Sequence, residues 1–265
     1  MSTYAALLRY RDLFGNLVRR DMQARYKGSL LGVAWSLANP LLLMAIYVLV
    51  FSTLWRVTEG IPHYPLYLLT WLVPWLFFAG SVQAAARSLL DHAPLVRKTR
   101  FPRQLVPLSA VAAQIVVLVA MMAVLLVANM AVIPETRDTA WLAVPLAAIF
   151  VALSAGFALA VGAANVILRD VEHLVAAALL PWFFLTPILY SFDQVGAFDQ
   201  HPNVVHVLRW GNPITPPIEA IRAPLWAGEW PRVADVGYLV VAAVVALALG
   251  AWVFNRVDDR IAVEI

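Results

Sequence analysis

Aromatic side chains are the residues of this sequence whose type and placement best suit the binding of a ligand. The sequence is 11% aromatic and has ten tryptophans, many of them at the ends of apolar segments, where an aromatic belt at the membrane–water interface explains them. Others lie along two apolar segments: Trp35, Tyr47, Phe51, Trp182, Phe183, Phe184 and Tyr190. Aromatic faces and edges contact sugar rings without holding any one sugar tightly, which suits the passage of a long glycan. Packing between helices explains the same residues, and both interpretations stay open.

Groups that could catalyse a reaction or hold a metal are sparse. The histidines His63, His92, His173, His201 and His206 are scattered, and we expect them to be solvated loop residues. The sequence has no cysteine and no GxxxxGK[ST] phosphate-binding loop, so we expect no metal and no ATP on this chain. The apolar segments lack Asp, Glu, Lys, Arg and His at their centres, which disfavours proton-coupled transport. Any transport must take its energy from a partner.

The composition indicates a polytopic membrane protein, because the 265 residues are 62% apolar and only 13% charged. A bilayer core of about 30 Å requires roughly 20 apolar residues in a helix. We predict six transmembrane helices: Leu31–Leu54, Leu66–Ala86, Leu105–Ile133, Trp141–Leu168, Leu174–Phe192 and Val236–Phe254. The expected fold is therefore an all-α membrane protein, with one transmembrane domain over residues 1–265 and no cleavable signal peptide.

Lysine and arginine in the loops predict the orientation, because cytoplasmic loops carry an excess of them. With the N-terminus in the cytoplasm, fourteen of these cations lie inside and five outside. Those inside are Arg9, Arg11, Arg19, Arg20, Arg25, Lys27, Arg87, Arg97, Lys98, Arg100, Arg103, Arg169, Arg256 and Arg260. Those outside are Arg56, Arg137, Arg209, Arg222 and Arg232. An even number of spans then places both termini in the cytoplasm.

The segment before the first span, residues 4–30, has an apolar stripe at helical spacing. Its members are Tyr10, Leu13, Phe14, Leu17, Val18 and Met22, and arginines occupy much of the remaining surface. This pattern predicts an amphipathic helix at headgroup level. A basic flank that only sets the topology is the alternative.

Two segments between spans have patterns of their own. Residues 87–104 are basic, and Pro94 and Pro102 leave room for about two helical turns that either dock on another protein or only set the topology. Residues 193–235 contain two apolar pieces that are too short to span, Val204–Trp210 and Ile214–Trp226. They predict a re-entrant helical hairpin in the outer leaflet. The sixth span, at 236–255, follows it.

The run VRRDMQARYKGSLLGVAWSLANPLLLMAIYVLVFS, from Val18 to Ser52, resembles the beginning of permease subunits of ABC-2 type polysaccharide exporters, which export O-antigen, teichoic acid or capsule. Three later segments support the resemblance and occur in the expected order along the whole chain: Val96–Ser109, the turn Leu168–Asp170 and Trp210–Arg222. The first motif is fairly specific. Its RYKGSLLGxxWSLxNP form is more similar to the O-antigen and teichoic-acid exporters than to the capsule branch.

The resemblance implies a homodimer of six-helix subunits, each docked on a cytoplasmic subunit that binds ATP and Mg, and no cofactor on this chain. The N-terminal helix would pack against the ATPase. The segment Arg169–His173 would form a second contact, mainly through Arg169 and Asp170. The outer hairpin would close the exit, and spans one and five would line the channel. The segment that resembles the gate and coupling region comprises Val96, Arg97, Lys98, Thr99, Arg100, Phe101 and Pro102.

The expected function is the ATP-driven export of an undecaprenyl-linked glycan, O-antigen in the first place, across the bacterial cytoplasmic membrane. Membrane lipids are expected partners, and nucleic acid is not. Arginine forks suit phosphate oxygens, so Arg19, Arg20, Arg25 and Lys27 are candidates for drawing in the pyrophosphate, with anionic lipid as the alternative ligand. The rival functions are an ABC-2 permease for teichoic acid, capsule, lipid or drug, and an intramembrane enzyme that uses Asp170, Glu172 and His173.

Overall fold

The computed structural model of the chain describes residues 10–26, 34–54, 61–99, 101–190 and 201–264, and this part of the chain is all-α. Its ten α-helices are α1 Arg11–Tyr26, α2 Ala34–Tyr47, α3 Tyr64–Asp91, α4 Ala93–Lys98, α5 Leu105–Val132, α6 Ala143–Ile167, α7 Val171–Leu185, α8 Pro202–Trp210, α9 Thr215–Arg222 and α10 Val233–Glu264. Stretches of π-helix at Val48–Leu54 and Ala223–Ala227 continue α2 and α9.

Within these described ranges, four helices are long and apolar enough to cross a membrane: Tyr64–Asp91, Leu105–Val132, Ala140–Ile167 and Val233–Ile261. They confirm the second, third, fourth and sixth predicted spans as long apolar helices. The helices at the first and fifth spans are shorter, Ala38–Ser52 and Val171–Leu185. Residues 31–33 and 191–192, which belong to those two predicted spans, lie outside the described residues, so a total of six spans stays a prediction.

Helix α3 is the centre of the bundle. It packs against α5, α6, α7 and α9, and its large side chains Trp71 and Phe78 are fully buried. Helices α5 and α10, in contrast, expose many apolar side chains, such as Val127 and Val241. Lipid tails are as apolar as these side chains, so this exposure is what a multi-pass membrane protein requires.

Helices α6 and α10 touch backbone to backbone at two glycines. A Cβ atom on Gly156 would lie 2.3 Å from the carbonyl carbon of Ala246, and one on Gly250 would lie 2.2 Å from the carbonyl oxygen of Gly156. Burial of apolar surface does not drive helices together inside a lipid bilayer, so membrane helices use small residues to approach closely. Any side chain at either position would force the two helices apart.

The end of the bundle near α1, here called the α1 end, has its own apolar cluster. Leu17 of α1 is buried there with residues such as Leu89, Leu105 and Phe254, which come from the ends of α3, α5 and α10. The predicted amphipathic helix is therefore present at Arg11–Tyr26, and its apolar stripe packs against the protein's own core.

The opposite end, here called the α9 end, carries the two short helices α8 and α9 at the predicted positions. α8 has no buried residue, whereas six of the eight residues of α9 are buried, among them Ile218 and Ile221. α9 packs against α3, α6 and α10. Re-entry of these helices into a membrane stays a prediction.

Candidate functional site

Helix α4 presents two cations at the α1 end. Val96 is buried in the cluster around Leu17, which anchors the helix, while Arg97, Lys98 and Thr99 are exposed. Phe101 and Pro102 are half-buried, and Arg100 lies outside the described residues. The six residues of α4 fit the room that the two prolines left in the sequence. The result is a short helix, fixed on one side, whose charged side faces away from the bundle.

The turn between α6 and α7 lies at the same end and is fixed to α3. Asn165 Nδ2 donates a hydrogen bond to the Ala86 carbonyl at 2.8 Å, and its Oδ1 accepts one from the Glu172 backbone N–H at 2.9 Å. The Glu172 carboxylate lies 3.1 Å from an Arg87 guanidinium nitrogen. Arg169 and Asp170 of this turn are exposed. The two segments predicted to contact an ATPase therefore lie at one end of the bundle, connected through α3.

Helix α1 is joined to the bundle by polar contacts as well as apolar ones. Ser109 Oγ donates a hydrogen bond to Asp21 Oδ2 at 3.0 Å, and His92 Nε2 lies 3.3 Å from Asp21 Oδ1. The side chains of His92 and Asp21 are 5% and 18% exposed. We call these three residues the Asp21 junction. The expectation of solvated histidines is wrong for His92, because α1 covers it.

The charge state of His92 follows from its two neighbours. Nδ1 lies 2.9 Å from the Ser88 carbonyl oxygen, which only accepts hydrogen bonds, so Nδ1 must carry a proton. In a neutral ring the Nε2 lone pair would then face the Asp21 carboxylate, whereas a protonated ring forms an ion pair with it. The pKa of His92 is raised above 6.5, and the contact with Asp21 is the largest cause. Burial of the ring is the second largest effect and acts in the opposite direction.

The predicted phosphate-binding cations are only partly described. Arg19 and Arg20 are exposed on α1, and the side chain of Arg25 and all of Lys27 lie outside the described residues. Arg20 lines a cavity of about 290 Å³ together with Arg87, which the sequence analysis had not grouped with it. Asp21 and Asp91 line the same cavity and offset part of this positive charge.

The aromatic residues of α2 and α7 divide into two groups. Phe183 is 6% exposed and its ring stacks on Tyr47, with ring centroids 6.0 Å apart. Trp182 is half-buried against Phe78, with ring centroids 5.4 Å apart. Trp35 and Phe184 are 55% and 54% exposed. Packing between helices accounts for Trp182 and Phe183, and the exposed rings are the ones accessible to a ligand.

The remaining aromatic candidates are half-buried. Phe51 contacts Tyr47 edge to face, with ring centroids 6.3 Å apart, and packs at the edge of the core. Tyr190 donates its hydroxyl to the Phe184 carbonyl at 3.2 Å, and its own carbonyl accepts a hydrogen bond from Tyr67.

The α9 end holds a polar network around Asn212. Its Oδ1 accepts hydrogen bonds from Trp182 Nε1 at 2.9 Å and from the Ile214 backbone N–H at 3.0 Å, and its Nδ2 donates to Thr186 Oγ1 at 2.9 Å. Asn212 is buried. It therefore ties the end of α7 to the beginning of α9.

The guanidinium of Arg222 at the α9 end lies among three aromatic rings. Its distance to the ring centroids is 5.5 Å for Tyr67, 5.9 Å for Trp71 and 5.2 Å for Trp226. It also pairs with Glu219 at 2.7 Å. The cation–π contacts with Tyr67 and Trp71 hold α9 against α3, and the ion pair within α9 orients the guanidinium toward these rings.

The bundle thus carries exposed charged side chains at its α1 end and aromatic and amide side chains between its helices. Among the described residues, no three His, Cys, Asp or Glu side chains are close enough together to hold a metal ion. A family model described as ABC-2 type transporter matches residues 12–226, which is more than half of the chain. The chain belongs to the ABC-2 type transporter family. An ABC-2 permease is a transport subunit, and its family membership implies a partner that hydrolyses ATP.

Curated relatives of this ABC-2 permease cover nearly the whole of both chains. The O-antigen export system permease protein RfbA of Myxococcus xanthus is 32% identical over 263 residues, which are 98% of this chain and 97% of the relative. Two proteins of the same name from Klebsiella pneumoniae are 31% and 30% identical over 253 residues, 95% of this chain and 94% of each relative.

The sequence analysis of this ABC-2 permease missed the carboxamides inside its apolar helices. Asn39, Gln83 and Gln114 line one groove between α2, α3 and α5. The signal was present, because each of them interrupts a predicted span with a polar group. Carboxamides carry no charge, so the absence of ionisable residues from these spans does not reveal them.

Proposed function

We propose that this ABC-2 permease is the transmembrane subunit of an exporter that moves a lipid-linked polysaccharide, the O-antigen, across the bacterial cytoplasmic membrane. The observation that carries the proposal is the similarity to O-antigen export permeases over at least 94% of both chains. A similarity that reaches both ends of the chain includes the segments that contact a partner as well as the spans.

The proposed topology has six spans over residues 31–255 in one domain, with both termini in the cytoplasm. The α1 end is then cytoplasmic and the α9 end faces the opposite side. The cations of α1, α4 and the α6–α7 turn support this orientation, because all of them lie at the α1 end. α8 and α9 form the re-entrant region.

The proposed assembly contains two copies of this chain and two ATP-binding subunits. Each ATPase contacts α1, the segment Val96–Pro102 and the turn with Arg169 and Asp170. The exposure of Arg97 and Lys98 on an anchored helix supports this role, because an exposed charge on a fixed element is available to a partner. ATP binding and hydrolysis would displace these segments and rock the two subunits.

The proposed path for the undecaprenyl-linked glycan runs along α2 and α7. Trp35 and Phe184 would contact sugar rings directly, with Tyr47, Phe51, Trp182, Phe183 and Tyr190 behind or beside them. Arg19, Arg20, Arg25 and Lys27 would draw the pyrophosphate to the cytoplasmic entrance. Arg20, one of these four cations, lines a cavity together with Arg87, which supports a positively charged entrance there.

The first experiment tests the contact with the ATPase. A strain that lacks this permease is complemented with the wild type, with Arg97→Glu combined with Lys98→Glu, or with Arg232→Glu, an exposed arginine at the α9 end. We expect the double variant to remain in the membrane, to lose most co-purifying ATPase and to lose surface O-antigen, while the control keeps both. Normal O-antigen with the double variant contradicts the assigned contact, and normal O-antigen in the strain without any permease contradicts the proposed function.

The second experiment tests the aromatic path. Trp35→Ala combined with Phe184→Ala removes two exposed rings and leaves the packed rings in place. The control is Trp230→Ala, whose ring is 70% exposed beyond α9. We expect less surface O-antigen in the double variant at equal protein abundance, and unchanged export in both variants would refute the path.

A further inference from the structure

Helices α2, α3 and α5 border an open groove of about 500 Å³, which shares only Trp35 with the residues assigned above to the aromatic path. α2 contributes Trp35 and Asn39, α3 contributes Gly80 and Gln83, and α5 contributes Gln114. Residues spaced by three or four lie on the same face of a helix, so each of the first two pairs points to one side. The groove therefore collects one aromatic ring and three carboxamides from three different helices.

The carboxamides lie well inside the apolar helices. At 1.5 Å per residue, Gln83 is about 12 Å along α3 from Asp91, and Gln114 is about 14 Å along α5 from Leu105. Both distances are measured from the α1 end of helices that are 28 residues long. The two amides are thus at nearly the same depth, within the half of the bundle that is nearer to α1.

Two of the carboxamides need a polar neighbour. The side chains of Asn39 and Gln83 are exposed, and neither makes a hydrogen bond within the part of the chain that the structure describes. An unpaired amide that faces hydrocarbon is strongly unfavourable, because lipid tails offer no hydrogen bond. Lipid tails are therefore a poor occupant of this groove.

The third carboxamide, that of Gln114, occupies space that Gly80 leaves open on α3. A Cβ atom on Gly80 would lie 2.8 Å from Nε2 of Gln114. The Gln114 amide therefore reaches across from α5 to the surface of α3, one turn away from Gln83. A Cβ atom at position 80 would require the flexible end of Gln114 to move, so the glycine shapes this side of the groove.

The chemistry of the lining selects the class of ligand. A carboxamide both donates and accepts hydrogen bonds, as a sugar hydroxyl does, and an exposed indole offers an apolar face to a sugar ring. Among the residues that the structure describes, no Asp, Glu, Lys, Arg or His lines the groove, so these residues offer no cation to a phosphate. An acyl chain would offer no hydrogen bond to the amides of Asn39 and Gln83. Neutral amides beside an exposed indole fit a hydroxyl-rich, uncharged ligand.

We propose that the groove between α2, α3 and α5 binds the neutral sugar portion of the lipid-linked glycan, with Asn39, Gln83 and Gln114 bonded to sugar hydroxyls and Trp35 against a sugar ring. The proposal rests on the proposed function and extends it. It adds a hydrogen-bonding site to a path that otherwise consists of aromatic contacts. The site lies in the α1 half of the protein, where a glycan that enters from the cytoplasm arrives first.

Site-specific photo-crosslinking tests occupancy in cells that contain the complete exporter. The photoreactive residue p-benzoylphenylalanine replaces Gln83, or Phe184 on the aromatic path, or Val116, which is exposed on α5 away from the groove. We expect an adduct that reacts with O-antigen antiserum at positions 83 and 184, and none at 116. An adduct at 184 without one at 83 overturns the groove and leaves the proposed function intact. An adduct at 83 with a second copy of the chain alone also overturns it.

Substitutions test the hydrogen bonds. Asn39→Leu and Gln83→Leu each remove an amide, and we expect each to lower O-antigen export about 2- to 10-fold, the range for one hydrogen bond between neutral groups. Gly80→Ala displaces the Gln114 amide without removing a polar atom and should act in the same direction. Val116→Leu is the matched control. If the leucine variants are as abundant in the membrane as the wild type, or more so, and export is unchanged, the proposal is overturned. If O-antigen export continues in a strain without the permease, the proposed function is refuted instead.

Discussion

Removal of the negative charge from the Asp21 junction should release α1 from the bundle. In the Asp21→Asn variant, the Ser109 hydroxyl and the His92 ring lose a charged partner that is 3.0 Å and 3.3 Å away. A hydrogen bond to a charged, largely buried group contributes about 1.5–3 kcal/mol. A loss of about 2 kcal/mol corresponds to a roughly 30-fold increase in the population of locally opened α1.

Amide hydrogen exchange measures this opening directly in the purified permease. We expect the α1 amides of Asp21→Asn to exchange roughly 30-fold faster than those of the wild type, while the amides of α3 change little. The matched control is Asp12→Asn on the same helix, whose side chain is 92% exposed. Equal exchange in all three proteins would refute the reasoning, because Leu17 and its apolar neighbours would then hold α1 alone.

The same junction predicts a dependence on pH. The pKa of His92 is raised above 6.5 in the folded protein, chiefly by Asp21, so the protonated ring stabilises the attachment of α1. This stabilisation is complete below pH 6.5 and is lost as the pH rises through the raised pKa. After correction for intrinsic rates, α1 exchange should therefore increase above pH 6.5, and His92→Gln should abolish the increase. Protection that grows with pH would contradict the assigned charge state.

Two further substitutions test the packing by thermal unfolding of the purified permease. Gly250→Ala places a Cβ about 2.2 Å from a backbone oxygen of α6 and should cost about 1–3 kcal/mol. Gly237→Ala, with no atom within 4 Å, should be neutral or slightly stabilising, because alanine is more favourable than glycine inside a helix. Equal midpoints for the two variants would contradict the close helix contact. Arg222→Leu leaves Glu219 without its cation and should cost about 3 kcal/mol, while Arg232→Leu at an exposed position should cost little. A small loss in Arg222→Leu would show that aromatic packing alone holds α9.

The long helices were predictable because an uninterrupted apolar run carries its own signal. α3, α5, α6 and α10 all match spans that were predicted from length and composition. α1 was predictable for a related reason, since a single apolar stripe at helical spacing needs one surface to cover it. In both cases the information lies within the segment itself.

Features that depend on contacts between distant segments were not predictable. His92 was expected to be solvated, because its partner Asp21 lies 71 positions earlier in the sequence and nothing local links the two. Phe183 and Phe184 are adjacent aromatic residues, yet one packs on Tyr47 and the other is exposed. The neighbours of α7 decide which of them faces inward, and a single sequence does not contain that information.

Helix α7 is fastened at both ends by asparagines from other parts of the chain. Asn165 holds the backbone of Glu172 at its beginning, and Asn212 holds Trp182 and Thr186 at its end. The 15 residues of Val171–Leu185, which include Pro181, span about 22 Å. The two asparagines therefore connect the α6–α7 turn at the α1 end of the bundle to the beginning of α9 at the other end through a single helix, and a displacement of the turn has a direct route along α7 to α9.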